Sequence, residues 1–159
     1  DLQQLPVFYI LEQATDALAT SMSEANLTVE TQLEPDLPDL MVDNDLIRRV
    51  FINLMQNAYK FTPSGGRIMV GAYRSDEDRD MIRLFVNDSG PGIPEEMRER
   101  VFEQYEQITT QRPYQGDKGS GLGLHFCKLA VEAHGGHIWI ADEGPLQGAN
   151  FVFTLPLAK

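Results

Sequence analysis

The 159-residue chain predicts a two-layer α/β sandwich, in which a mixed, mostly antiparallel sheet carries helices on one face. Three observations support that expectation. Helical and strand periodicities alternate irregularly, without the strict β-α-β succession of a doubly wound fold. Two strands, 67–73 and 82–88, are joined by the charged turn 75–80 and read as a hairpin. Hydrophobic residues make up 42%, enough for one ordinary core, and the length suits a single domain over 1–159.

In chain order, residues 5–25 read as a helix, with Val7, Ile10, Leu11, Ala14, Leu18 and Met22 at helical spacing. Residues 1–5 ahead of it fit an interdomain linker. Residues 27–33 alternate as a strand, and Pro35–Pro38 marks a loop. Asp43 or Asn44 can cap the next helix, which ends near Phe61 before Pro63 and the Gly65–Gly66 turn. The hairpin follows, and Pro94 opens a short helix. Residues 103–118 show no clean period, and loops that long are commonly functional or disordered. Residues 122–134 are helical again, with Leu122, Phe126, Leu129, Ala130 and Ala133 on one face, and Gly135–Gly136 ends them. Strands at 137–141 and 150–155 close the chain around a 144–148 turn. There is no internal repeat.

The net charge of −11, from 24 acids and 13 bases, argues against a nucleic-acid binder, which needs a basic stripe. Cys127 is the only cysteine, so there is no internal disulfide, and it reads as a small core residue on a helix. No apolar run approaches the ~20 residues of a membrane span. A reducing, cytoplasmic setting fits, with no membrane contact by this piece. Asp1 is not a natural start, which suggests a fragment; whether the parent is membrane-anchored stays open.

Four short motifs carry the chemistry. Around Asn53–Thr62, the residues Leu46, Val50, Leu54, Ala58 and Phe61 form an apolar stripe, and Asn53, Asn57 and Lys60 share the flank beside it. Amide oxygens are hard ligands suited to Mg²⁺, and the lysine ammonium suits phosphate; a solvated polar flank gives the same pattern. Asp88 continues the inward face of Ile82, Leu84 and Val86. A carboxylate pointing inward is costly unless something donates to it. Adenine's exocyclic amine is such a donor, whereas guanine presents a carbonyl there; a local Asx turn is the plainer reading. Gly90 and Gly92 leave room for a flat ring. The run Gly119–Ser120–Gly121–Leu122–Gly123–Leu124 leads into a helix and can present N–H groups to an anion. It is neither a P-loop nor a dinucleotide fingerprint. Between Phe102 and Gly119 the only cations are Arg112 and Lys118, either of which could reach phosphates if the segment closes.

Taken together and in this order, the motifs resemble those of the catalytic ATP-binding domain of sensor histidine kinases, over nearly all of the chain. Asn53–Thr62 is similar to the family's N box, Asp88–Gly92 to its G1 box, Phe102 with Tyr105 to its F box, and Gly119–Leu124 to its G2 box. The resemblance implies the Bergerat fold, shared with DNA gyrase and the MutL repair proteins. It implies that Asn57 ligates Mg²⁺ with Asn53 beside it, that Lys60 contacts phosphate, and that Phe61 packs near adenine. Asp88 would read the adenine amine, Ile93 would line that pocket, and residues 103–118 would form an ATP lid.

ATP-hydrolysing members of the wider group place a glutamate four residues before the metal-binding asparagine. Here that position is Asn53, which cannot take up a proton near neutral pH. The stretch Gly148–Ala149–Asn150–Phe151 lacks the Ser/Thr common in the family's last glycine motif, so no role is carried over to it. The resemblance implies transfer of the γ-phosphoryl group of ATP to a histidine on a separate dimerisation domain of the same protein, with a response regulator downstream. His125, His134 and His137 lack the acceptor context of an adjacent acid on a long helix. His134, just before Gly135, reads as a helix-end cation suited to the dipole. The fragment is expected to be monomeric. Two other readings remain: a nucleotide-binding interaction module without transfer activity, and an ATPase of the gyrase or MutL type.

Overall fold

A computed structural model describes residues 1–103 and 123–158. Three helices, α1 (Val7–Glu24), α2 (Asn44–Phe61) and α3 (Gly123–Ala133), pack on one face of a five-stranded sheet. The strands are β2 (Thr28–Leu33), β4 (Arg67–Arg74), β5 (Met81–Asp88), β7 (Asn150–Pro156) and β6 (Ile138–Ala141), in that spatial order. β2 runs parallel to β4, and every other neighbouring pair is antiparallel. The mixed, mostly antiparallel sheet with helices on one face is therefore as expected. A separate ribbon pairs β1 (Leu2–Leu5) with β3 (Leu40–Asp43). Neither of these four-residue strands is visible in the periodicity, and α1 begins at Val7, after Pro6, rather than at Leu5.

Strand alternation sorts the sheet. Ile82, Leu84, Val86 and Asp88 of β5 face the helices alongside Phe151, Phe153 and Leu155 of β7. Phe51 of α2 meets Phe153 edge-on, with centroids 5.1 Å apart. The opposite face is covered in part by residues 142–149, where the Leu146 N–H donates to Asn87 Oδ1 at 2.6 Å.

Two helix faces differ from the predicted stripes. α2 buries Ile47, Val50, Phe51, Leu54, Met55 and Ala58, while Leu46 and Phe61 are only half-buried. At 100° per residue this turns the apolar centre by roughly 50° away from Asn53 and Asn57. α3 buries Leu124, Cys127, Ala130 and Val131, whereas Leu129 is 53% exposed. That helix is apolar on most sides, so spacing alone cannot choose its face; packing against α2 and β6 does. Cys127 lies fully buried with Sγ 3.6 Å from the Val50 carbonyl, and burial pushes its thiol pKa up.

Asp43 caps α2, accepting from the Leu46 N–H at 3.1 Å. Asp43→Ala is expected to destabilise the fold, read as a lowered urea midpoint with unchanged m-value. His134 is not a helix-end cation. Its Nδ1–H donates to the Ala130 carbonyl at 2.7 Å, while Nε2 accepts the Asp43 N–H at 3.0 Å. Accepting a backbone proton requires the neutral ring.

Candidate functional site

The site grows from the junction of α2, β5 and the start of α3. Along α2, Asn53, Asn57 and Lys60 are half-buried beside the core stripe. Asn53 Oδ1 lies 3.4 Å from where a Cβ on Gly123 would stand, so this flank faces the first residue of α3. None of the three side chains makes a hydrogen bond or ion pair with a described residue. Among the described residues no group of three or more His, Cys, Asp and Glu is placed to hold a metal. A cation at this flank would therefore depend on amide oxygen, water and a ligand's own phosphates, a donor set that fits Mg²⁺ and not zinc.

Asp88 ends β5 and is 2% exposed. Its Oδ1 accepts the Gly90 N–H at 2.8 Å. Burial pushes the carboxyl pKa up to about 6, against the opposing pull of backbone donors at Gly90 and Ala149. A carboxylate has roughly four acceptor sites, so these two donors leave capacity for another. The strand end itself is held by the Asp88 N–H to the Ala149 carbonyl (3.0 Å) and by the Gly148 N–H to the Asp88 carbonyl (2.9 Å). The Asx turn and the inward acid are thus both present, in one residue.

The glycines here are spatial requirements. A Cβ on Gly90 would collide with the Phe61 carbonyl at the end of α2. Gly92 has φ +83°, a conformation that disfavours any side chain. Ile93 follows, 8% exposed in the core cluster. It borders a cleft of about 480 Å³ together with Gly92, Gly148 and Ala149, and the ion-paired Arg98 and Asp142 also line it. Phe102 is 5% exposed and meets Phe151 edge-on at 6.0 Å, which anchors the segment entering residue 103. Its carbonyl lies 3.2 Å from His125 Nδ1, which ties the entry to α3.

Asn53, Asn57, Lys60, Phe61, Asp88, Gly90, Gly92, Ile93, Phe102, Gly123 and Leu124 all lie within the described part of the chain, on the elements that converge here. Arg112, Lys118, Gly119, Ser120, Gly121 and Leu122, and most of the 103–118 segment, lie outside the described residues. Sequence reasoning assigned no role to Gly148 and missed Asn87. Gly148 abuts Asp88, and Asn87 spans the opposite face, its Nδ2 donating to the Ala149 carbonyl at 2.8 Å. A glycine just before a closing strand was the available signal, but it reads equally well as a turn.

The architecture is that of a known class of domain. It matches the catalytic domain of histidine kinase ThkA with a TM-score of 0.82 and 27% identity, over 99% of this chain and 96% of that one. Full-length ShkA, solved with AMPPNP, matches with a TM-score of 0.83 and 28% identity, over 100% of this chain and 32% of that one. The chain belongs to the histidine kinase-, DNA gyrase B- and HSP90-like ATPase family, whose model matches residues 42–159. Among curated proteins, the adaptive-response sensory kinase SasA of Synechocystis sp. is 38% identical over 155 residues, covering 98% of this chain and 39% of that protein. SasA of Nostoc sp. is 41% identical over 130 residues, covering 81% and 31%. The chain thus spans about two fifths of the length of the Synechocystis relative. Among the described residues, no helix is long and apolar enough to cross a membrane.

Proposed function

We propose that this chain is the catalytic ATP-binding domain of a sensor histidine kinase, binding Mg·ATP and donating the γ-phosphoryl group to a histidine on a separate dimerisation domain. Asp88 carries the reading: a 2%-exposed carboxylate with spare acceptor capacity, next to glycines that keep side chains out of the space beside it. In this reading Asp88 accepts the adenine amine, with Phe61, Gly90, Gly92, Ile93 and Phe102 shaping that end. Asn57 would hold Mg²⁺, which neutralises phosphate charge; Asn53 and Lys60 orient the phosphates beside it. Arg112, Lys118 and residues 119–124 would complete the phosphate end.

Asn53 favours transfer over hydrolysis, because an amide cannot act as the base that activates water. The three histidines are poor acceptors on the geometry above. His134 is engaged at both ring nitrogens, and the described carboxylates do not pair with His125 or His137. The partners in this scheme are the parent's dimerisation domain and its response regulator downstream, in a cytoplasmic setting.

Two measurements test it. With γ-labelled ATP and Mg²⁺, the isolated chain is expected to label itself negligibly and to label a dimerisation domain supplied in trans with acid-labile phosphate. Strong self-labelling would overturn the assignment of the acceptor to another domain. Steady phosphate release without any acceptor would favour the ATPase reading instead.

A further inference from the structure

On the sheet face away from the helices lies a cavity of about 460 Å³, within the range of small-ligand sites and separate from the nucleotide cleft. Its floor comes from strand alternation: Tyr73 of β4, Phe85 of β5 and Asn150 of β7 all point to this face. The Tyr73 and Phe85 rings are tilted at 50° with centroids 6.0 Å apart. Glu34 and Glu143 stand at opposite walls. Glu34 is neutralised locally by Arg74 at 3.1 Å, whereas Glu143 makes no ion pair with a described residue. Asn150 is 6% exposed; its Nδ2 donates to the Glu143 carbonyl at 2.9 Å, and its Oδ1 has no hydrogen-bond partner.

An unpartnered buried amide oxygen is costly and asks for a donor. No Lys, Arg or His lines the cavity; beside neutral groups such as the Gln32 amide and the Tyr73 hydroxyl, its charged lining residues are Glu34 and Glu143. Aromatic faces beside carboxylates attract cations. An anion would meet the unpaired Glu143 carboxylate and no cation among the lining residues. We propose that this cavity is a second binding site, for an organic cation of guanidinium or alkylammonium type, which sits against the Tyr73 ring and pairs with Glu143. The inference is independent of the nucleotide reading.

The test is a ¹H–¹⁵N titration of this chain at constant ionic strength with N-acetyl-arginine methyl ester. Its neutral isostere N-acetyl-citrulline methyl ester serves as control, and tetraethylammonium as a second cation. Saturable shifts of the Asn150 side-chain amide and the Gly144 N–H are expected with both cations and not with the citrulline ester. Tyr73→Leu and Glu143→Gln should each weaken binding at least fivefold, while Asp88→Asn leaves it unchanged. If Tyr73→Leu fails to fold, the exposed Glu143→Gln decides alone. Absent or non-saturable shifts, equal shifts with the neutral isostere, or wild-type affinity in Glu143→Gln would overturn the proposal.

Discussion

Asp88→Asn is expected to abolish discrimination for adenine and, at the same time, to stabilise the empty domain above about pH 6. The two effects share one cause. The Asp88 carboxyl has its pKa raised from 3.8 to about 6, chiefly by burial. The folded state therefore binds the proton more tightly than the unfolded state, and stability is fully present below 3.8 and lost as pH rises through about 6. At neutral pH the ionised group costs the apoprotein roughly 3 kcal/mol. Asparagine keeps an oxygen for the Gly90 N–H and carries no charge, so that cost disappears. Thermal unfolding of the two proteins at pH 5 and pH 8 reads it directly: the mutant's advantage should be full at pH 8 and roughly half of that at pH 5.

In binding, the same substitution exchanges a charged acceptor for a neutral amide, a loss of about 3 kcal/mol or roughly a hundredfold in affinity. Calorimetry with a non-hydrolysable ATP analogue, and its GTP counterpart as control, tests this. Wild-type affinity should also fall below about pH 6, where the carboxyl takes up its proton. Unchanged affinity in the mutant would remove Asp88 from the adenine-reading role.

Gly148→Ala should be nearly as severe, for a steric reason. The added Cβ would meet both Asp88 Oδ1 and the Asp88 carbonyl, and would stand 2.7 Å from the Gly90 nitrogen. Backbone on central strands cannot yield cheaply, so a loss of about 3 kcal/mol is expected, with nucleotide binding abolished as the acid is displaced. Gly123→Ala is the matched control, because among the described residues its Cβ would meet only the Asn53 side chain, with Oδ1 at 3.4 Å. That protein should keep wild-type stability. If Gly148→Ala bound nucleotide normally, the support of Asp88 by the 148–149 backbone would be irrelevant to function.

The strands and helices that build the sheet were legible because their periods are readable: β5 keeps Ile82, Leu84 and Val86 at alternate positions, and α1 repeats its apolar residues over 18 positions. The β1–β3 ribbon was not, since a four-residue strand shows barely two alternations. Helix faces were only partly legible. α3 offers apolar residues all round, and only its neighbours decide that Cys127 goes in and Leu129 stays out. At the site, Asp88 could be picked out because its strand register points it inward. Gly148 could not, because its importance is a distance to a residue sixty positions away, and spacing in sequence carries no such information.

The hold of Gly90 and Gly148 on Asp88 has an evolutionary consequence. The acid is embraced by two glycines from different strand ends and backed by the end of α2 through the Phe61 carbonyl. Beyond the isosteric Asp88→Asn, which only loses discrimination, a lineage could not install a larger reader at position 88 alone, since such a side chain has no space to occupy. Compensating changes at 90 and 148 would have to arrive with it, through intermediates that are less stable than either end point. A new base preference should accordingly drift far more slowly than surface traits such as partner choice, and any larger residue at 88 should arrive together with changes at 90 and 148.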